Sequence, residues 1–143
     1  MFKKTNPVYT LSVASRLSGI PIHSIRQYIE KGLIIPYKKD TSRHLFSDVD
    51  IVRFKKIRTQ LDEQGLNVAG IKSLLALIPC WAIRSCSVGE RSNCEAYNSI
   101  TQPCWEASEK GPECRNINCR ECEVYSILEE NLDLKVLLKQ FLK

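Results

Sequence analysis

Seven cysteines are concentrated in one stretch of this 143-residue chain, and none occurs before residue 80. Thiolates bind zinc tetrahedrally and hold iron–sulfur clusters, so this density predicts metal ligation or redox chemistry. Because seven is an odd number, the thiols cannot all pair as disulfides within one chain. We predict an iron–sulfur cluster or zinc as cofactor. The candidate ligands are Cys80, Cys86, Cys94, Cys104, Cys114, Cys119 and Cys122.

The order of the cysteines indicates an internal duplication. Each copy has a Cys-Trp pair, a further cysteine and a Cys-Glu-x-Tyr tetrad; the first copy begins at Cys80 and the second at Cys104. Cys119 is an extra thiol of the second copy, and only Cys119 and Cys122 have the tight spacing of a zinc knuckle. The other gaps fit neither a zinc finger nor a ferredoxin. The repeat resembles the small two-CW modules appended to bacterial sensory proteins.

Three interpretations of these thiols remain open. The first is ligation of a metal or a cluster. The second is a thiol–disulfide switch without metal, in which a thiolate beside Arg84 or Arg120 reacts first. The third is a set of buried, reduced and inert cysteines, which the duplicated arrangement disfavours.

The charge divides at the same place as the cysteines. Residues 1–79 contain 13 Lys and Arg against 6 Asp and Glu, whereas residues 80–143 contain 8 against 10. A basic half joined to a near-neutral half is typical of a polyanion-binding module fused to a second module. No apolar run approaches the roughly 18 residues of a membrane span, and the first residues lack the apolar stretch of a signal peptide. We therefore predict a cytoplasmic protein without a membrane partner.

The basic half has the pattern of two short helices joined by a tight turn. Ser12 is the predicted cap of the first helix, and Gly19 ends it. The second helix is predicted from about His23 to Lys31, with Ile25 and its apolar neighbours packed inward. A helix-turn-helix places its second helix in the major groove of DNA. The side chains predicted to face outward from this helix are Ser24, Arg26, Gln27 and Tyr28.

A hairpin and two further helices are predicted next. Leu33–Ile35 is a strand-like run, and the polar segment after it suits a hairpin whose tip grips phosphates. Ser47 caps a third helix, and Asn67 caps a fourth that extends to about Ile78. The basic residues of the hairpin are Lys38, Lys39, Arg43 and His44. The predicted buried faces consist of Val49, Ile51, Val52, Phe54, Ile57 and Leu61 in the third helix and Ile71, Leu74 and Leu75 in the fourth.

Residues 8–78 resemble the MerR family of bacterial transcription regulators. The matching motifs occupy residues 24–30, 32–36 and 45–50, and residues 63–71 look most like the HspR branch of the family. The resemblance implies a winged helix-turn-helix that binds double-stranded promoter DNA as a homodimer.

The same resemblance implies individual DNA contacts. Arg26 and Tyr28 would touch the DNA backbone, with His23 and Ser24 near base edges; Tyr28 equally fits a core-edge aromatic. One position departs from the family, because His44 stands where members usually have arginine. We expect Arg43 to make the phosphate contact instead.

Residues 126–143 are predicted to form an amphipathic C-terminal helix. Family members dimerise through a long helix after the DNA-binding domain. The tail is therefore either a shortened dimerisation helix or a helix that packs on the cysteine module of its own chain.

The predicted fold is mainly α: a winged helix-turn-helix of four helices and a β-hairpin wing at 8–78, a cysteine-rich module at 79–125 and a C-terminal helix at 126–143. We predict a transcription regulator whose cysteine module tunes DNA binding, with RNA polymerase as a candidate partner. The alternative is a metal-carrying adaptor that docks on a protein. No phosphate-binding Gly-rich loop, HExxH or GxSxG motif occurs, so an enzyme is not predicted.

Overall fold

A computed structural model describes residues 6–38, 43–126 and 134–142. The chain divides into two units, one ending at Asn67 and the other beginning at Val68. Helices dominate both units, which confirms the predicted mainly α fold. Within the described ranges, no helix is both long enough and apolar enough to cross a bilayer.

The first unit is a helix-turn-helix followed by a hairpin and a long helix. The hairpin is antiparallel, with Tyr37 opposite Leu45 and Lys38 opposite His44. The predicted wing is therefore present. The elements are α1 (Leu11–Ser18), α2 (Ile22–Glu30), β1 (Tyr37–Lys38), β2 (His44–Leu45) and α3 (Asp48–Asp62).

The turn between α1 and α2 depends on a glycine in the left-handed region. Gly19 has φ +74°, and its N–H donates to the Ser15 carbonyl at 2.9 Å, which closes α1. The cap at the other end of α1 is Thr10, whose hydroxyl accepts from the Val13 N–H. The prediction that Ser12 caps this helix is wrong, because the helix begins one residue before Ser12, at Leu11.

The hairpin and α3 meet around Phe46. The Phe46 ring packs edge-to-face on Phe54 with centroids 5.4 Å apart, and both rings are fully buried. Immediately after it, the Ser47 hydroxyl accepts from the Asp50 N–H and the Asp50 carboxylate accepts from the Ser47 N–H at 2.8 Å. This capping box confirms that Ser47 caps the third helix and fixes the direction in which α3 leaves the wing.

Three local expectations are wrong. Leu33 and Ile34 are buried but irregular, and the strand begins later, at Tyr37. Val52 is 48% exposed because it lies two positions from Phe54, about 200° around the helix from the buried face. Leu74, expected to face inward, is 37% exposed on α4.

The second unit consists of short helices between the cysteines. Helix α4 (Val68–Ala76) opens it, and its Lys72 forms an ion pair with Glu106 at 2.9 Å. The remaining helices are α5 (Cys80–Ile83), α6 (Val88–Ser92), α7 (Glu95–Asn98), α8 (Pro112–Arg115), α9 (Glu123–Ser126) and α10 (Leu134–Phe141), with 3-10 turns at Cys104–Glu106 and Cys119–Glu121.

The C-terminal helix is present in part. Helix α10 buries Leu137 completely, whereas Val136 and Leu142 are exposed, which agrees with an amphipathic helix. The tail residues 127–133 and 143 lie outside the described residues, so the predicted continuous helix is described only for this segment.

Candidate nucleic-acid interface and thiol cluster

Helix α2 and the wing form the walls of one groove of about 550 Å³. Arg26 lines it from the helix, and Arg43 and His44 line it from the wing. The floor is apolar, with Leu11, Ile22, Ile29 and Leu45 among the lining residues. The expectation that helix and hairpin place Arg26 and Arg43 on one surface agrees with this geometry.

The exposed residues of the interface carry its positive charge. His23, Arg26 and Gln27 are exposed on α2, and Lys38 and Arg43 are exposed on the wing. Burial, and then the charge of Lys38, lower the pKa of His44, so this imidazole is neutral at neutral pH. Lys38 and Arg43 therefore supply the charge of the described wing; the predicted contact residue Lys39 lies outside the described residues.

The prediction that Ser24 and Tyr28 face outward is wrong. Ser24 is 8% exposed and Tyr28 is 3% exposed, and both lie on the buried face of α2 with Ile25. The Tyr28 hydroxyl lies beside Arg58 of α3; interaction with this hydroxyl and then with Asp62 raises the pKa of the guanidinium. The sequence pattern missed this because residues i and i+4 of a helix share a face, and hydroxyl-bearing side chains were read as polar.

Tyr28→Phe is expected to leave DNA affinity within about two-fold of wild type, because a buried hydroxyl does not reach the DNA backbone. Fluorescence anisotropy with a labelled duplex measures the change, with Gln27→Ala as an exposed comparison on the same helix. A ten-fold or larger loss for Tyr28→Phe would return this residue to the interface.

In the second unit, the two cysteine-containing copies repeat one aromatic contact. Trp81 packs edge-to-face on Tyr97 with centroids 5.3 Å apart, and Trp105 packs in the same way on Tyr125 at 5.0 Å. Each pair joins the Cys-Trp of one copy to the Cys-Glu-x-Tyr of the same copy. The duplication seen in the sequence thus has a structural counterpart.

The two copies also interlock. Helix α5 of the first copy contacts α9 of the second, and α7 of the first copy contacts the 3-10 turn Cys104–Glu106 of the second. The cysteines of both copies are consequently brought into one region. All seven lie in the described ranges, and none of them forms a disulfide.

The sulfurs of this thiol cluster, defined as the seven cysteines, are close enough to affect one another electrostatically. Burial, and then the charges of Cys114, Cys94 and Cys86, raise the pKa of Cys80 to about 12. Burial is also the main cause of the raised pKa of Cys104. These two buried thiols are therefore protonated at neutral pH and are poor nucleophiles.

Two cations lie at the thiol cluster. Lys110 Nζ is 3.1 Å from Cys119 Sγ. Burial lowers the pKa of Arg84, but the charges of Cys122, Cys114 and the nearby carboxylates together raise it above its usual value. Arg84 donates to the Glu113 carbonyl at 3.0 Å and to Glu123 Oε1 at 3.3 Å, so it is held in place from two sides.

The thiol cluster is not arranged around a single ion. Among the described residues, no three Cys, His, Asp or Glu side chains converge as the ligands of one metal ion. The predicted knuckle residues Cys119 and Cys122 span a 3-10 turn, in which the Cys122 N–H donates to the Cys119 carbonyl at 3.1 Å. The donor set is thiol-rich and partly buried, which fits a cofactor larger than one ion.

Comparison with known proteins identifies the first part of the chain. The profile of the family described as MerR HTH family regulatory protein matches residues 9–78, ending before the first cysteine. The HspR protein of Streptomyces coelicolor is 35% identical over 71 residues, which are 50% of this chain and 47% of that protein. The HTH-type transcriptional regulator GlnR of Bacillus anthracis is 33% identical over 75 residues, which are 52% of this chain and 57% of that protein. The chain spans about half the length of the curated relatives that it matches.

Proposed function

Because residues 9–78 form a helix-turn-helix domain of the MerR family, we propose that the protein is a transcription regulator that binds double-stranded promoter DNA in a sequence-specific way. The observation that carries this proposal is the groove shared by Arg26 of α2 and Arg43 of the wing. Two guanidinium groups on adjacent elements suit two phosphates of one DNA strand, since arginine binds phosphate with paired donors.

The roles of the elements follow from this surface. Helix α2 enters the major groove, with His23 and Gln27 exposed toward base edges. The wing lies along the backbone, where Lys38 and Arg43 bind phosphates and fix the register of the helix. A homodimer would present two such units to a palindromic site, one half-site for each.

We further propose that the thiol cluster binds a metal or an iron–sulfur cluster and thereby tunes DNA binding. Helix α4 belongs to the cysteine-containing unit and leads through Pro79 directly to Cys80. The Lys72–Glu106 ion pair ties α4 to the second copy of the repeat. Occupancy of the thiols would therefore shift the population of α4 arrangements and, in a dimer, how the half-sites are gripped.

A thiol–disulfide switch without metal is the second candidate for this unit. The contact of Lys110 Nζ with Cys119 Sγ favours it, because a neighbouring ammonium stabilises a thiolate. In that case Cys119 reacts first with an oxidant. Lys110→Met would slow its alkylation by iodoacetamide, whereas loss of metal would not follow.

The DNA-binding proposal is tested by the affinity of the whole chain for random and selected duplexes over a range of salt concentrations. The logarithm of the affinity should fall linearly with the logarithm of the salt concentration, and a selected duplex should bind more tightly than a random one. An adaptor that docks on a protein would show neither a steep salt dependence nor a sequence preference.

A further inference from the structure

Four of the seven sulfurs form the most closely connected part of the thiol cluster. Cys80, Cys104 and Cys114 are mutual electrostatic neighbours, and Cys122 neighbours both Cys104 and Cys114. Cys80 belongs to the first copy of the repeat and the other three to the second. A ligand held by these four would therefore join the two copies.

The remaining cysteines have other surroundings. Cys94 is buried in an apolar cluster with Ala96 and Ala107. Its sulfur also lies 3.9 Å from the point where a Cβ on Gly111 would stand, so it is packed against the backbone there. This thiol serves the core of the unit, where a charged sulfur would be unfavourable.

The two other thiols lie at the edge of the connected group. Cys86 neighbours Cys80, and Cys119 neighbours Cys104 and contacts Lys110. Cys86 provides a useful comparison, because it stands eight residues before Cys94 just as Cys114 stands eight residues before Cys122. The two copies thus contain one equivalent position that is connected and one that is not.

The spacing of the sulfurs distinguishes between possible cofactors. Four thiolates on one zinc ion, each about 2.3 Å from it, would lie within about 4 Å of one another. The described residues contain no such convergent set. A [4Fe–4S] cluster binds one cysteine at each iron and so needs four sulfurs spread around a larger body. A [2Fe–2S] cluster would require two close pairs, whereas Cys80, Cys104 and Cys114 neighbour one another as a triangle.

Arg84 supplies the charge that such a cofactor needs. A [4Fe–4S] cluster with four thiolates is an anion, and Arg84 lies next to Cys114 and Cys122. Its side chain is 20% exposed and is fixed by Glu113 and Glu123. Its buried Nε–H has no hydrogen-bond partner among the described residues, which leaves a donor for sulfur.

We propose that Cys80, Cys104, Cys114 and Cys122 bind a [4Fe–4S] cluster that joins the two copies of the repeat, with Arg84 as a positioning residue beside it. This rests on the proposed metal-binding role of the thiols and is independent of DNA binding. Loading by ligand exchange involves no change of oxidation state. Each cysteine thiol displaces one small thiolate from a preformed cluster, the Fe–S bond moves to the cysteine, and the cysteine proton leaves on the released thiol.

The test uses the whole chain, reduced and free of oxygen, and a synthetic [4Fe–4S] cluster carrying four 2-mercaptoethanol thiolates. After gel filtration, about four iron and four sulfide per chain should remain with wild type. Cys104→Ser and Cys114→Ser should retain less than about a quarter of that amount. Cys86→Ser and Cys94→Ser, each a one-atom change in the same unit, should retain the wild-type amount if the chain folds.

A second measurement on the unaltered chain avoids any dependence on the folding of variants. Alkylation by iodoacetamide is mapped by mass spectrometry before and after loading. Cys80, Cys104, Cys114 and Cys122 should become protected on loading, while Cys86 and Cys119 should remain reactive. Protection of Cys86 in place of Cys114 would overturn the ligand set. Retention of about one zinc per chain, with no retained iron, would overturn the cluster itself.

Arg84→Gln provides a readout that is specific to positioning. It should retain iron and sulfide but shift the reduction potential of the bound cluster to a more negative value, because a neighbouring positive charge favours the reduced form. An unchanged potential would remove Arg84 from the proposal. In all these experiments DNA affinity is measured separately, so failure of the cluster does not count as failure of DNA binding.

Discussion

Arg26→Ala is expected to weaken DNA binding about ten-fold, which corresponds to about 1.4 kcal/mol. Arg26 is exposed on α2 and lines the groove that it shares with Arg43, so its removal deletes a phosphate contact. Such a contact carries no sequence information. The loss should therefore be similar for selected and random duplexes, and the salt slope should fall by about one for each protomer.

The matched control for this substitution is Arg58→Ala. Arg58 carries the same charge on α3, where it pairs with Asp62 at 2.8 Å and does not line the groove of Arg26. Exposed pairs of this kind contribute less than about 1 kcal/mol, so folding should be preserved. Equal effects of the two substitutions on DNA binding would indicate a general charge effect and would contradict a specific interface at α2.

Phe54→Ala is expected to destabilise the first unit by about 3–5 kcal/mol, a large fraction of the stability of a small domain. Phe54 is fully buried and packs edge-to-face on Phe46, at the junction of the wing and α3. Removal of the ring leaves a cavity where these elements meet. Chemical denaturation monitored by circular dichroism would measure the loss, and DNA affinity should fall with the folded fraction.

Val52→Ala provides the comparison on the same helix. Val52 was expected to be buried from the apolar pattern, but it faces away from Phe54 and is half exposed. Its truncation should change stability by no more than about 0.5 kcal/mol. A loss comparable to that of Phe54→Ala would show that the face of α3 carrying Val52 is buried in the protein in solution.

The elements of the first unit were predictable because strong local signals define them. Gly19 ends α1 and Ser47 caps α3, and each acts through backbone hydrogen bonds that depend on one residue type. The facing of Ser24 and Tyr28 was not predictable in this way. Both carry a hydroxyl, and their burial results from the tertiary packing of α2, to which a pattern of polar and apolar residues is insensitive.

The second unit was less predictable. The duplication was visible in the sequence, since the Cys-Trp pairs and Cys-Glu-x-Tyr tetrads recur in order, and the paired contacts of Trp81 and Trp105 are consistent with it. The short helices have too few residues for a periodic signal. The grouping of Cys80 with Cys114 and the position of Arg84 arise from the interlocking of the two copies, which no local pattern encodes.

The most direct test of the proposed regulator compares one preparation in two states. The affinity of the whole chain for its selected duplex is measured with the thiol cluster loaded and again after the cofactor has been removed by a chelator under reducing, oxygen-free conditions. A regulator tuned through these thiols should show an affinity change of at least about five-fold between the two states. Equal affinity in both states would contradict coupling between the thiol cluster and DNA binding, and no salt-dependent binding in either state would contradict the DNA-binding role.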